Sequence, residues 1–172
     1  GFQGEEVAAL RPQVKPGPRR FDTDALVYVV VVGIGGSSLG TRAVSGALWV
    51  RNARRLIFLD TVSNANLEWA LALLKPRDPS EYVICVVSKS GTTLETVENA
   101  KVLIGALGEE RVVRIHDDGG DLAIPRLVGG RYSVFSAAGR FPLALLGCDT
   151  EALRAGARKS REACLMDDPD KN

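Results

Sequence analysis

The chain has 172 residues, enough for one domain with a hydrophobic core, and its hydrophobic and charged fractions of 45% and 25% are ordinary for a globular domain. Its 22 basic and 21 acidic residues nearly balance, which argues against a nucleic-acid-binding protein, and no apolar run approaches the roughly 18 residues of a membrane helix. The cysteines, Cys85, Cys148 and Cys164, form no CxxC or Cys/His pattern. We therefore expect neither a zinc site nor disulfides, and we expect a reducing cytoplasm.

The first twenty residues are rich in glycine, proline and charge and predict a lead-in segment with one short helix at 5–10. From residue 26 onward, apolar β-branched runs alternate with segments whose apolar residues recur at helical spacing. The predicted strands are 26–32, 56–60, 82–87 and 111–115, with 131–136 as the candidate for a fifth. The predicted helices are 41–50, 65–74, 92–107, 141–147 and 150–166.

This alternation predicts an α/β domain with a mostly parallel sheet and helices on both faces. Ligands of such sheets bind at the carboxyl ends of the strands, near the point where the strand order reverses. Two polar, glycine-containing loops directly follow predicted strands: the first loop is 33–40 and the second loop is 88–93. Both loops are therefore expected at the edge of the sheet where chemistry takes place.

The first loop, GIGGSSLG, favours an anion. Its glycines allow a close backbone approach to a ligand, and Ser37 and Ser38 are predicted at a helix N-terminus, where free amides and the helix dipole attract negative charge. The loop also partly matches a dinucleotide fingerprint, with Asp60 about 20 residues further on, although Ser38 occupies the position of the third glycine. A tight turn without a ligand is the remaining interpretation.

The second loop begins the stretch SKSGTTLET and is unusually rich in hydroxyl groups. These groups belong to Ser88, Ser90, Thr92 and Thr93. Gly91 lets backbone amides converge, while Lys89 either adds positive charge or points to solvent. A helix N-cap requires only one Ser or Thr, so we expect one hydroxyl to act as the cap and the others to bind phosphate oxygens.

The arginine segment, VGGRYSVFSAAG at 128–139, places Arg131 after two glycines. On spacing alone, a structural ion pair is the expected role of Arg131; the alternative is that its guanidinium stabilises negative charge that develops in a reaction.

His116 is the only histidine and ends the fourth predicted strand. Because it has no partner at metal-ligand spacing, we predict a strand-end role for it and no metal site.

The order of these motifs resembles the glucose-6-phosphate isomerase family. GIGGSSLG resembles its first sugar-phosphate loop, SKSGTTLETVENA resembles its second, and VGGRYSVFSAAG resembles its arginine-bearing block. Related sugar-phosphate-sensing regulators and amidotransferase domains carry a shorter second loop, so Lys89, Thr92 and Thr93 favour the isomerase. The resemblance runs from about residue 20 to the end of the chain.

The resemblance implies a sugar-isomerase (SIS) domain at 21–148, which is a flavodoxin-like three-layer αβα sandwich with a five-stranded parallel sheet. It implies a lead-in at 1–20 and a helical linker at 149–172 toward a second SIS domain. The implied reaction is the reversible interconversion of glucose 6-phosphate and fructose 6-phosphate through a cis-enediol, in glycolysis and gluconeogenesis, without metal or other cofactor. The implied enzyme is a cytoplasmic homodimer without nucleic-acid or membrane partners.

The resemblance also assigns roles to individual residues. Gly36 and Ser37 match sugar-phosphate contacts of the first loop, and Arg131 matches the arginine that stabilises the enediolate. The substrate-binding positions of the second loop are Ser88, Lys89, Ser90, Gly91, Thr92 and Thr93.

Some features of the family have no counterpart in this sequence. The family's general base is a glutamate in an N-x-E-S-N-like block, and this sequence has no such block. The family's ring-opening histidine and late lysine are also unmatched. Glu95 and His116 do not correspond to any of these catalytic residues. The stretch 117–126 is also short for a helix that the family places there. We therefore expect this chain to supply the phosphate-binding half of an isomerase and to be inactive alone. The alternative is a non-catalytic, sugar-phosphate-binding regulatory SIS module.

Overall fold

The computed structural model describes residues 23–48, 54–117 and 120–166, so the helix predicted at 5–10 lies outside the described residues. Within them, one all-parallel sheet has the strand order β2-β1-β3-β4-β5. Its strands are β1 Tyr28–Val32, β2 Arg55–Leu59, β3 Tyr82–Val87, β4 Val112–His116 and β5 Leu122–Ala123.

The helices form a layer on each face of this sheet. The described α-helices are α1 Gly36–Leu48, α2 Asn64–Leu74, α3 Leu94–Leu107, α4 Ala137–Leu145 and α5 Thr150–Cys164. Helices α2 and α3 bury their apolar residues on one face, and α4 covers the other face with α1 packed beside it. The predicted three-layer αβα fold is confirmed. Within the described residues, no helix is long and apolar enough to span a membrane.

The central strands are apolar throughout because both of their faces are covered. Every residue of β1 and β3 is buried, and successive side chains point to opposite faces of the sheet. Val30 and Ile84 therefore pack under α2 and α3, whereas Val29 and Val83 pack under α4. This two-sided burial fixes the position of the two strand ends from which the polar loops start.

The strand order reverses between β1 and β3. The chain moves from β1 outward to β2, then returns to β3 on the other side of β1 and continues outward to β5. This is the flavodoxin-like order, whose ligands bind in the crevice at the switch point. The first loop follows β1 and the second loop follows β3, so the two loops lie on either side of this crevice.

The strand predicted at 131–136 is wrong. Residues Gly130–Phe135 instead form a 3-10 helix, in which the amide of Tyr132 donates to the carbonyl of Gly129 at 3.0 Å. The buried side chain of this helix is Ser133, while both of its aromatic side chains are exposed. Residues 131–136 therefore alternate in sequence but have no apolar face that a strand would bury.

The fifth strand is β5, Leu122–Ala123, which the sequence did not predict. It pairs with the end of β4 through Ile115–Leu122 and His116–Ala123. Parallel neighbours are usually joined by a crossover of a dozen or more residues, yet the described residues between these strands contain no helix. The carboxylate of Asp121 accepts a hydrogen bond from the amide of Arg114 at 2.8 Å, which fastens the short link to β4.

The arginine-bearing 3-10 helix is held between α1 and α4 by two glycines. A Cβ atom on Gly40 of α1 would lie 2.7 Å from the Cβ of Val134, and one on Gly139 of α4 would lie 2.7 Å from its Cα. Val134 is therefore packed between the backbones of both helices. This packing determines the position of Arg131 in the fold.

We predict that Gly139→Ala lowers the free energy of unfolding by about 1–3 kcal/mol, because its new methyl group meets the backbone of Val134. Urea denaturation measures this change. The matched control is Gly105→Ala in α3, where nothing lies within 4 Å of the added Cβ; it should stabilise by about 0.5–1 kcal/mol. Equal effects of the two substitutions would contradict the packing described here.

Candidate functional site

The first loop starts in contact with the end of β3. A Cβ atom on Gly33 would lie 2.6 Å from the carbonyl oxygen of Val87, so the backbones of the two strand ends meet closely. Gly35 has a φ of 56°, in the left-handed region, and this turn starts α1 at Gly36. Ser37 consequently lies in the first turn of a helix, as predicted.

The first loop also contacts the arginine segment. A Cβ atom on Gly36 would lie 2.5 Å from the amide nitrogen of Arg131, so no side chain fits there. The hydroxyl of Ser133 lies 2.7 Å from the carbonyl oxygen of Gly130 and 3.2 Å from that of Gly36, where it links the two backbones. The sequence predicted a close backbone approach to a ligand, whereas Gly36 makes its close approach to another part of the protein.

The hydroxyl groups of the second loop form two pairs. The Ser88 and Thr93 oxygens are 2.9 Å apart, and the Thr92 hydroxyl donates to Ser90 Oγ at 3.0 Å. One hydroxyl of each pair uses its proton inside the pair, and the other keeps its proton for a further acceptor. The loop therefore offers two hydroxyl donors, one of which is Ser90, close to the start of α3.

The expectation that one hydroxyl caps α3 is not met. Thr93 is the N-cap residue, but its side chain makes no capping hydrogen bond because it is paired with Ser88. By contrast, Ser63 caps α2 and Ser136 caps α4 through their hydroxyl oxygens. The first-turn amides of α3 therefore receive no hydrogen bond acceptor from their N-cap side chain, and the helix dipole makes this end attractive to an anion.

Lys89 connects the second loop to the segment that leads to Arg131. Its Nζ donates to the carbonyl oxygen of Arg126 at 2.7 Å, so the ammonium is engaged with the protein backbone although this bond lies at the surface. The loop backbone is also fixed to the end of β4: the amide of Ser88 donates to Ile115, and the amide of Asp117 donates to Lys89. The first loop thus contacts the arginine segment directly at Gly36 and meets the end of β3, just before the second loop, at Gly33. The second loop reaches Arg126, two residues before the arginine segment, through Lys89.

His116 ends β4, as predicted, and its ring lies against the second loop. Gly91 has a φ of 68°, and a Cβ atom there would lie 3.2 Å from Nδ1 of His116. Burial, and then the charge of Arg114, lower the pKa of His116, partly offset by Asp117 and Asp121. Sequence reasoning missed this contact, although residues after neighbouring parallel strands share an edge.

Arg131 is exposed, and no hydrogen bond or ion pair engages its guanidinium within the described residues. The structural arginine of this region is instead Arg140, a buried residue of α4 that pairs with Glu151 at 2.6 Å. The structural ion pair that spacing alone led us to expect for Arg131 is therefore wrong, because its guanidinium has no partner in the part of the chain that the structure describes. Its guanidinium is available to a ligand.

The acidic residue of the dinucleotide alternative is already engaged. The carboxylate of Asp60 pairs with Arg42 of α1 at 2.5 Å, and the same guanidinium lies 4.4 Å from the centre of the Phe58 ring. Oδ2 of this carboxylate therefore already has a partner within the protein. Among the described residues, no group of three or more His, Cys, Asp or Glu lies close enough to hold a metal ion.

We predict that Thr93→Val destabilises the chain by about 1–3 kcal/mol, because it leaves the buried hydroxyl of Ser88 without its partner. Thr93→Ser keeps the hydroxyl and should cost less than about 1 kcal/mol. Urea denaturation of both variants measures the difference. If valine and serine have the same effect at this position, the hydroxyl pair does not stabilise the loop.

Comparison with known proteins gives concordant matches. The family model described as phosphoglucose isomerase matches residues 7–116. A glucose-6-phosphate isomerase from Thermus thermophilus is 38% identical over 156 residues, which is 79% of this chain and 37% of that enzyme. The enzyme of that name from Methanocaldococcus jannaschii is 35% identical over 165 residues, which is 84% of this chain and 39% of the enzyme.

Solved structures agree with these matches. A hypothetical protein from Thermus thermophilus superposes with a TM-score of 0.74 and 32% identity, over 94% of this chain and 41% of that one. A glucose-6-phosphate isomerase from Chlamydia trachomatis gives a TM-score of 0.61 and 26% identity, over 83% and 29%. The chain thus spans less than half the length of these relatives. It belongs to the phosphoglucose isomerase family.

Proposed function

We propose that this chain binds the phosphate group of glucose 6-phosphate and of fructose 6-phosphate. This binding would serve the reversible isomerisation that interconverts the two sugar phosphates. The observation that carries the proposal is the convergence of three segments at the switch point of the sheet: the first loop, the second loop and the arginine segment. The names of its relatives, glucose-6-phosphate isomerases, support the same reaction.

The second loop suits a phosphate group for three reasons. It presents the hydroxyl of Ser90 and one hydroxyl of the Ser88–Thr93 pair, and Gly91 turns its backbone through the left-handed region. The first-turn amides of α3 follow directly, with the positive end of the helix dipole. A phosphate dianion has several acceptor oxygens that can use all of these donors at once.

The remainder of the sugar would then extend toward the first loop and Arg131. The amide of Arg131 stands against Gly36, so its side chain starts beside the first turn of α1 and Ser37. A guanidinium at this place would stabilise the negative oxygens of an enediolate more strongly than the neutral carbonyl of the substrate. This difference in binding would accelerate the reaction.

In this proposal, the chain positions the substrate and stabilises charge but does not supply the general base. The glutamate block of the family is absent from the sequence, and we assign proton transfer to no described residue. The chain alone would therefore bind substrate without turnover. The proposal includes the cytoplasmic homodimer that the family resemblance implies.

Calorimetric titration of the full chain tests the binding. We expect saturable binding of fructose 6-phosphate and at least about 100-fold weaker binding of fructose, because the charge-assisted phosphate contacts contribute several kcal/mol. A coupled assay should detect no isomerase turnover. Saturable binding of NAD alone would favour the dinucleotide alternative, and turnover near that of a complete isomerase would contradict the missing base.

The role of Arg131 predicts a selective loss. Arabinonate 5-phosphate carries a carboxylate where the enediolate would carry its charge, so Arg131→Ala should weaken its binding by about 10- to 100-fold. Fructose 6-phosphate carries a neutral carbonyl at the same position. Its binding should weaken by less than about threefold, because a hydrogen bond from the guanidinium to a neutral carbonyl is weaker than one to a carboxylate. The control is Arg158→Ala, which removes an equal charge from exposed α5. Equal losses for both ligands would exclude the proposed role.

A further inference from the structure

One polar side chain at the edge of the second loop has no place in the function proposed above. The imidazole of His116 lies against Gly91, and the three ring atoms nearest to a Cβ built there are Nδ1 at 3.2 Å, Cε1 at 3.5 Å and Cγ at 3.7 Å. The Nδ1 edge of the ring is therefore turned to the loop. Within the described residues, no hydrogen bond engages either ring nitrogen.

The contact is maintained by the backbone on both sides of the ring. The carbonyl of Ile115 accepts from the amide of Ser88, and the amide of Asp117 donates to the carbonyl of Lys89 at 2.9 Å. The residues immediately before and after His116 are thus hydrogen-bonded to the loop. These two bonds hold the backbone of His116 beside the second loop.

We propose that His116 is a positioning residue of the phosphate site, which supports the turn at Gly91 and strengthens anion binding when it is protonated. This inference rests on the proposed function of the second loop. A neutral imidazole supports the turn by packing alone. An imidazolium at the same place adds one positive charge beside the loop, and an anion bound there would raise the pKa of the histidine in return.

The charges around His116 influence the pH range in which its imidazole becomes protonated. On its own strand, Arg114 disfavours protonation, while Asp117 and Asp121 in the link to β5 favour it. On the second loop, the ammonium of Lys89 is bound to the carbonyl of Arg126. Burial and Arg114 outweigh the aspartates, so the pKa of His116 lies below that of an ordinary histidine. The free chain therefore has a neutral His116 at neutral pH and gains the charge as the pH falls.

The test titrates the full chain with inorganic sulfate, which stays a dianion where sugar phosphates change charge near pH 6. His116 is the only histidine, so side-chain titration in this range belongs to it. Sulfate should bind progressively more tightly as the pH falls below the pKa of an ordinary histidine, by about three- to tenfold once the imidazole is protonated, as expected for one added positive charge beside the loop. His116→Gln should abolish this pH dependence.

Nuclear magnetic resonance provides a measurement that needs no variant. The titration of the His116 Cε1 proton should shift to higher pH when sulfate is present, and Ser90→Ala, which removes a loop donor, should reduce the shift. If sulfate and fructose 6-phosphate both fail to bind at any pH, the proposed function of the loop fails together with this inference. If both bind but His116 titrates identically with and without sulfate, the inference alone is overturned.

Discussion

The close approach of two backbones at Gly36 is the constraint on which this site depends. Only a residue without a side chain can begin α1 while the amide of Arg131 stands against it, 2.5 Å from where a Cβ would lie. The hydroxyl of Ser133 lies within hydrogen-bond distance of the carbonyl oxygens on both sides of this contact, 2.7 Å from that of Gly130 and 3.2 Å from that of Gly36. The arginine segment can therefore be anchored against the first loop, although the two are about a hundred residues apart in sequence.

The sheet supplies the second half of the arrangement. Two-sided burial of β1 and β3 fixes their carboxyl ends side by side at the switch point, and each end carries a glycine-containing turn. The polar groups of the second loop satisfy one another in pairs, which reduces the cost of placing so many hydroxyls beside a buried strand. The same pairing turns Thr93 away from its capping position and leaves the end of α3 to a ligand.

The sequence allowed most of the fold to be predicted. The continuous apolar run at 82–87 matches β3 at both ends, because a strand covered on two faces has an unambiguous pattern. The α3 helix starts two residues later than predicted, since Thr92 and Thr93 belong to the hydroxyl pairs. The strand predicted at 131–136 became a 3-10 helix because tertiary packing around Val134 outweighed a weak alternating pattern.

The sequence suggested the residues of the candidate site but not the contacts that connect them. Local motifs identified both loops and Arg131, because glycines, hydroxyls and a guanidinium have recognisable chemistry at the ends of strands. The bond from Lys89 to Arg126 and the contact of His116 with Gly91 left no local signal. Both depend on which strands become neighbours and on the short link after β4, and these are properties of the assembled sheet.

The central claim is that the three segments form one sugar-phosphate site. A crystal structure of the full chain with bound fructose 6-phosphate tests it most directly. We predict the phosphate at the start of α3, within hydrogen-bond distance of Ser90 and of the Ser88–Thr93 pair, with the open end of the sugar facing Arg131. A phosphate bound elsewhere, with the second loop empty, would contradict the account.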